Sequence, residues 1–216
     1  MTIDDLPATM PIFPLGGALL LPNGLLPLNI FEGRYIQMIN DAMMTKHRLI
    51  GMIQPDQLAR DNGDKEAILN IGCAGRIVQF SETEDDRYMI MIQGVSRFTV
   101  MDELSTVLPY RQVSADWNDY HDDMVEDCDT IEIDRESFLP LLKNYLDLNK
   151  MDVDWHLIEN APCEILLTNL PMICPFDAQE KQALLEAKSM DKRYEILSTL
   201  LKIKVQSSSD NQSIKH

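Results

Sequence analysis

The sequence predicts an α+β chain, with a β-rich first half joined by an acidic segment to an all-helical second half. Three observations support this. Short apolar runs punctuated by Pro, Gly and Asn fill residues 11–117. Ten carboxylates crowd into Asp116–Glu136, where apolar periodicity is lost. Beyond them, apolar residues recur at helical spacing to about residue 205. The expected organisation is a β-rich subdomain at 1–117, an acidic linker at 118–135, a helical bundle at 136–205 and a disordered polar tail at 206–216.

The opening stretch "PIFPLGGALLLPNGLLPLNI" is too interrupted by proline and glycine to span a membrane. It also lacks the Lys-Ser/Thr ending of a phosphate loop. "ALLL" (18–21) and "LLPLNI" (25–30) are therefore expected as buried strands, with Pro27 placing the second at a sheet edge or bulge. Residues 33–44 have apolar positions Tyr35, Met38, Ile39 and Ala42 at helical spacing, so a short amphipathic helix follows. "RLIGMIQ" (48–54) reads as a strand and 55–67 as a polar loop. "RIVQFSE" and "RYMIMIQ" flank the acidic turn "TEDD" and should form an antiparallel hairpin. In its second arm Tyr88, Ile90 and Ile92 alternate with Met89 and Met91, so both faces are apolar and burial on both sides is expected. "SRFTVM" (96–101) and "YRQVSADW" (110–117) are expected as two further strands of a small barrel or sandwich.

In the second half Asp134 is positioned to cap a helix with the stripe Phe138, Leu141, Leu142, Tyr145 and Leu148. Asp154 is positioned to cap "WHLIENA", and "PCEILLTNL" is a helix expected to stop before Pro171. Asp177 and Glu180 form a capping-box pattern before "KQALLEA". A last helix covers about 190–205.

Composition excludes several functions. The chain has 216 residues and a net charge of -16, a surface that repels phosphate backbones and anionic lipid. Neither nucleic acid nor membrane is expected as a partner. The four cysteines lack C-x-x-C spacing, and the first residues lack a signal peptide's basic and apolar regions, which points to free thiols in the cytoplasm. No H-E-x-x-H or complete calcium-loop pattern occurs, so no metal or other cofactor is expected. No G-x-S-x-G elbow is present. Ser198 and Lys202 stand at i, i+4, a spacing any helix produces by chance, and Cys73 reads as a small buried strand residue. No catalytic residue is nominated. Glu32 and Arg34 in "FEGRY" lie at a strand-to-helix junction, where the carboxylate can accept from helix N–H groups and the guanidinium can bridge, so they are read as a structural clasp.

Taken together, these motifs resemble a known family. "PIFPLGGALLLPNGLLPLNIFEGRYIQMINDAM" is similar to the opening of the Lon protease amino-terminal, substrate-binding domain. "IGMIQ", "GCAG", "ETEDDRYMIMIQGVSRF", "PYRQV" and "LPMICPFDAQEKQALLEAKSMDKRYEILSTLL" continue the likeness in the same order. The resemblance covers nearly all of residues 10–204 and implies a PUA-like β pseudo-barrel followed by a helical bundle. It also implies capture of unfolded or degron-bearing polypeptide, with a protease in trans as a candidate partner, by a stand-alone member of the kind found in bacteria. The 216 residues contain no G-x-x-x-x-G-K-[ST] loop and nothing like a glycine-flanked peptidase serine, so the expectation is a non-catalytic binding module. The nominated binding residues, lining or supporting a cleft between barrel and helices, are Phe13, Phe31, Tyr35, Arg97 and Tyr110. The alternatives are an adaptor or small-ligand sensor that docks one partner, and an ATP-independent peptidase.

Overall fold

A computed structural model describes residues 2–85, 87–125 and 132–213. The chain forms two compact units, Met1–Glu126 with Phe176–Leu185, and Asp127–Pro175 with Glu186–His216.

The first unit contains β1 (Thr9–Pro14), β2 (Leu25–Ile30), α1 (Gly33–Met44), β3 (Leu49–Ile53), α2 (Gln57–Asp61), β4 (Ile71–Glu82), β5 (Tyr88–Glu103) and β6 (Gln112–Asp116). β1 pairs in parallel with β3 and antiparallel with β6. β4 bridges β3 and β5, and the carboxyl-terminal half of β5 returns to β6. Five strands therefore close into a ring, which removes most free edges. β2 stays outside the ring, paired only with the amino-terminal half of β5. That is an edge position, as Pro27 requires.

The ring is filled by Met10, Ile12, Leu49, Ile53, Ala74, Phe98, Val113 and Trp117. The Phe98 and Trp117 rings lie 5.8 Å apart, and the Trp117 indole N–H donates to the Pro7 carbonyl at 3.1 Å. Phe98 fits because β4 carries Gly72, where a methyl group would stand 2.6 Å from the Phe98 ring and from the Met52 carbonyl oxygen. Residues 18–21 are not a strand. Leu19, Leu20 and Leu21 are buried, but their backbone crosses β5 instead of pairing along it. A methyl group at Gly94 would stand 2.0 Å from the Leu21 carbonyl oxygen, so only glycine admits this crossing. "SRFTVM" is not a separate strand: it continues the 16-residue β5, which runs through Gly94. The polar loop at 55–67 contains α2, capped by Asp56, whose carboxylate accepts from the Ala59 N–H at 3.0 Å.

The second half of the chain contains α3 (Arg135–Leu148), α4 (Trp155–Asn160), α5 (Cys163–Ile173), α6 (Ala178–Leu185) and α7 (Met190–Ser213). The caps expected from sequence are present. Asp134 accepts from the Ser137 N–H at 3.3 Å, and Asp154 from the His156 N–H at 3.0 Å. Asp177 and Glu180 complete a reciprocal capping box at 2.9 Å each way. α5 runs through Pro171 to Ile173, although proline there forfeits the backbone bond to residue 167, and the helix ends three residues on at Cys174. α7 is helical to Ser213, beyond the 206 at which a disordered tail was expected, and 214–216 lie outside the described residues.

Two segments group differently from the composition-based boundaries. Asn118–Met124, the start of the acidic run, is a 3-10 helix of the first unit, and α6 also belongs to that unit. Gln54 Nε2 donates to the Ala178 carbonyl at 2.9 Å, Lys181 Nζ to Gly17 at 2.8 Å, and Gln182 Nε2 to Ile71 at 3.1 Å. These polar bonds seat α6 on the ring. Residues 126–131 of the acidic run, Cys128 among them, lie outside the described residues. No described helix is long and apolar enough to cross a membrane.

Candidate functional site

Of the five binding residues nominated from sequence, four are buried and one is open. Phe13 on β1 and Tyr35 on α1 meet with ring centroids 4.3 Å apart, both under 10% exposed. The Arg34 guanidinium lies 4.6 Å from the Tyr35 ring centroid. Glu32 occupies the N-cap position of α1, yet its side chain does not cap the helix. Its carboxylate instead accepts from Arg34 Nε and Nη2 at 2.9 and 2.8 Å, so the junction clasp closes between the two side chains. Tyr110 is buried and donates its hydroxyl to Asp41 Oδ2 at 2.7 Å, tying the β5–β6 loop to α1. Burial, and then the bond to the Asp41 carboxylate, push the Tyr110 phenol up to about 12.

Arg97 acts as an internal strut. Its Nε donates to Asp123 Oδ2 at 2.8 Å, Nη2 to Oδ1 at 2.7 Å, and Nη1 to the Leu185 carbonyl at 3.2 Å. Its backbone N–H also donates to Asp123 at 2.9 Å, and the Tyr120 ring lies 4.7 Å beneath the guanidinium. Burial pulls the guanidinium pKa down, but the Asp123 bonds outweigh it and hold the group above its ordinary value. One side chain thus fastens the 3-10 helix and α6 to β5. Sequence gave no sign of it, because the partners stand 26 and 88 positions away.

Phe31 is the exposed member, at 64%. It stands where β2 and the β4–β5 hairpin run beyond the ring. β3 leaves β4 at the Leu49–Arg76 pair, with one further bond from the Ile77 N–H to Arg48. Past that point β2, β5 and β4 form a three-stranded extension. Its rows are Pro27–Met91–Gln79, Leu28–Ile90–Phe80, Asn29–Met89–Ser81 and Ile30–Tyr88–Glu82. Alternation splits these into two faces. Leu28, Ile30, Ile90 and Ile92 are buried on one. Near its end Phe80 packs edge-on to Tyr88 at 4.7 Å, with Phe31 beside Arg87.

The other face holds Leu25, Pro27, Met89 and Met91. Sequence reading expected it to be covered, because it is apolar. It is open: Leu25 is 54% and Met89 45% exposed, and Met91 is half-buried. Apolar alternation establishes what a face is made of, but not whether this chain covers it.

Elsewhere, an open depression of about 500 Å³ is formed by the β5–β6 loop and lined by Glu103, Thr106, Leu108, Tyr110 and Arg111. Arg111 is engaged by Glu103, with Nε to Oε1 at 2.6 Å. Cys73 is buried, as a core strand residue should be. Among the described residues no group of three His, Cys, Asp or Glu side chains is placed to hold a metal ion.

Comparison with known proteins bears on the family and the fold. A family model described as the ATP-dependent protease La (LON) substrate-binding domain matches residues 9–203. A Lon protease of Dictyoglomus thermophilum is 26% identical over 196 residues, covering 91% of this chain and 23% of that protein. A Lon protease of Anaeromyxobacter dehalogenans is 30% identical over 107 residues, covering 50% of this chain and 12% of that protein. The chain thus spans less than a quarter of these relatives. Two solved structures share the fold. A Lon N-terminal domain protein from Xanthomonas campestris superposes with a TM-score of 0.60 at 20% identity, covering 88% of this chain and 96% of that one. The N-terminal domain of Mycobacterium avium complex Lon protease gives 0.63 at 13%, covering 90% and 98%.

Proposed function

The chain belongs to the family of Lon substrate-binding domains, and from that membership we propose that it is a non-catalytic module that captures unfolded or degron-bearing polypeptide. The observation that carries this reading is the open apolar face of the β2–β5–β4 extension. An acidic protein leaves Leu25, Pro27, Met89 and Met91 together on one sheet face, and Phe31 stands exposed at the end of the same extension. Exposed apolar patches on acidic surfaces mark contact sites for other proteins. Methionine suits many partners, since its unbranched, polarizable side chain repacks around different shapes. Phe13, Tyr35, Arg97 and Tyr110 support this surface by holding α1, the ring and the 3-10 helix in place.

The test is a titration of fluorescently labelled, unfolded casein at low and high salt, beside a folded control protein. Saturable binding that persists in high salt without cleavage is expected. Met89→Asp and Leu25→Asp should each weaken it about tenfold, the effect of losing one well-buried apolar contact. Failure of the unaltered chain to bind any unfolded protein would overturn the reading. ATP-independent cleavage of casein would revive a hydrolase.

A further inference from the structure

We propose that the captured segment binds as an added β-strand along the outer edge of β4, at residues 78–82. This rests on the polypeptide-binding reading above and specifies how that binding is made. Val78, Gln79, Phe80, Ser81 and Glu82 are all exposed, and among the described residues no strand lies against them on the side away from β5.

The hydrogen-bond alternation shows what that edge offers. The Thr83 N–H donates to the Arg87 carbonyl across the hairpin, so Thr83 and Ser81 face β5. Phe80 and Glu82 then aim their N–H and C=O groups outward, four main-chain groups in a row for an incoming strand. The opposite edge of the extension is closed to such pairing. β2 carries Pro27 at a position whose N–H would face outward, the usual protection of an exposed edge. β4 has no proline in its free segment.

Side chains and charge define the occupant. A strand laid beside β4 sets one residue against Phe80 and, two positions along, another against Glu82. Glu84 and Asp85 follow in the turn, and the whole chain carries -16. The fitting occupant is an extended segment with an apolar residue to meet Phe80, a basic residue two positions along on the same face to meet Glu82, and an apolar residue between them on the methionine face. A second copy of this chain would bring the same negative charge to the edge and be repelled. An added strand would also widen the open methionine face, so main-chain bonding and apolar contact act on the same segment.

The experiment uses the full chain and a synthetic decapeptide of Val, Ile or Phe with Lys or Arg at every fourth position, so that apolar and basic residues alternate along one face, with unfolded casein in parallel. Amide exchange of the Phe80 and Glu82 N–H groups, followed by NMR, should slow at least about tenfold on peptide binding. N-methylation of the peptide at alternate residues should weaken binding about tenfold or more for the pairing edge and far less for the other. Glu82→Pro removes one outward donor where an edge strand tolerates proline, and Phe80→Ala removes the ring but keeps the donor. With Trp117 emission unchanged, Glu82→Pro should lose at least about tenfold in affinity. If unaltered protein binds peptide and casein while both amides exchange as before, the edge proposal fails and the capture reading stands. If neither probe binds, the capture reading itself fails.

Discussion

Removing the Asp123 carboxylate should strongly destabilise the first unit. Arg97 and Asp123 are 6% and 7% exposed in their side chains, and the carboxylate accepts the guanidinium fork together with the Arg97 backbone N–H. In Asp123→Ala the cation stays buried and loses its counter-charge. Breaking a buried pair in this way costs about 3–5 kcal/mol. Whole domains are stable by about 5–15 kcal/mol, so the change takes a large share of the total. With a urea slope of about 2 kcal/mol/M, the midpoint should fall by about 2 M. Trp117 sits in the ring core and Trp155 in the other unit, so a Trp155→Phe background leaves fluorescence reporting on the first unit alone. The double variant Arg97→Met with Asp123→Leu removes both charges and should return to within about 1–2 kcal/mol of the parent. A loss below about 1 kcal/mol for Asp123→Ala would refute the reasoning, because it would mean that water already solvates the pair.

Tyr110→Phe should lose about 1.5 kcal/mol, the worth of a hydrogen bond to a charged acceptor, in urea unfolding at neutral pH. Because folding raises the Tyr110 pKa from 10.0 to about 12, this contribution is fully present below pH 10 and disappears as pH rises through 12. The parent and Tyr110→Phe unfolding curves should therefore converge in that window, and a constant gap would count against the Asp41 bond. Gly94→Ala should cost on the order of 3 kcal/mol or more, since its methyl group meets the Leu21 carbonyl at 2.0 Å, and a thermal melt close to the parent's would show that the 18–21 crossing yields. Met89→Asp should leave stability within about 0.5 kcal/mol while weakening casein capture, and a parallel fall in both would mean that the methionine face is packed after all.

Signals confined to a few residues were legible before the structure. The 33–44 helix follows from four apolar positions one turn apart. Pro27 marked an edge, and the caps Asp134, Asp154 and Asp177–Glu180 were each visible within four residues. What escaped were effects of close approach between distant segments. Gly94 could stand at a strand end or inside a strand by sequence alone, and only the structure shows that its missing side chain lets Leu21 pass while β5 runs on. α6 looks like one more helix among helices. Its seat on the ring depends on Gln54, Lys181 and Gln182, polar residues that no hydrophobic pattern records. The same blindness affects the site. Arg97 and Tyr110 are informative residues, but their partners Asp123 and Asp41 are fixed only by tertiary folding and take up the groups a ligand would need. Among the described residues the group recorded over the Phe31 ring is the Arg87 guanidinium, at 5.9 Å, and at 64% exposure the ring remains available.

An open apolar face beside a free strand edge is an aggregation hazard, and this chain limits it in two ways. Pro27 closes the β2 edge. The charge of -16 makes every encounter between two copies repulsive, while leaving an uncharged or basic chain free to approach. Salt should separate the two effects. Screening at 1 M shortens the reach of charge to about 3 Å, so self-association should rise with ionic strength while capture of an apolar segment persists. Light scattering of the chain alone, set against casein binding over the same salt series, measures both. If high salt abolished capture and left the chain monomeric, charge would be the main attraction and the methionine face would not be the contact surface.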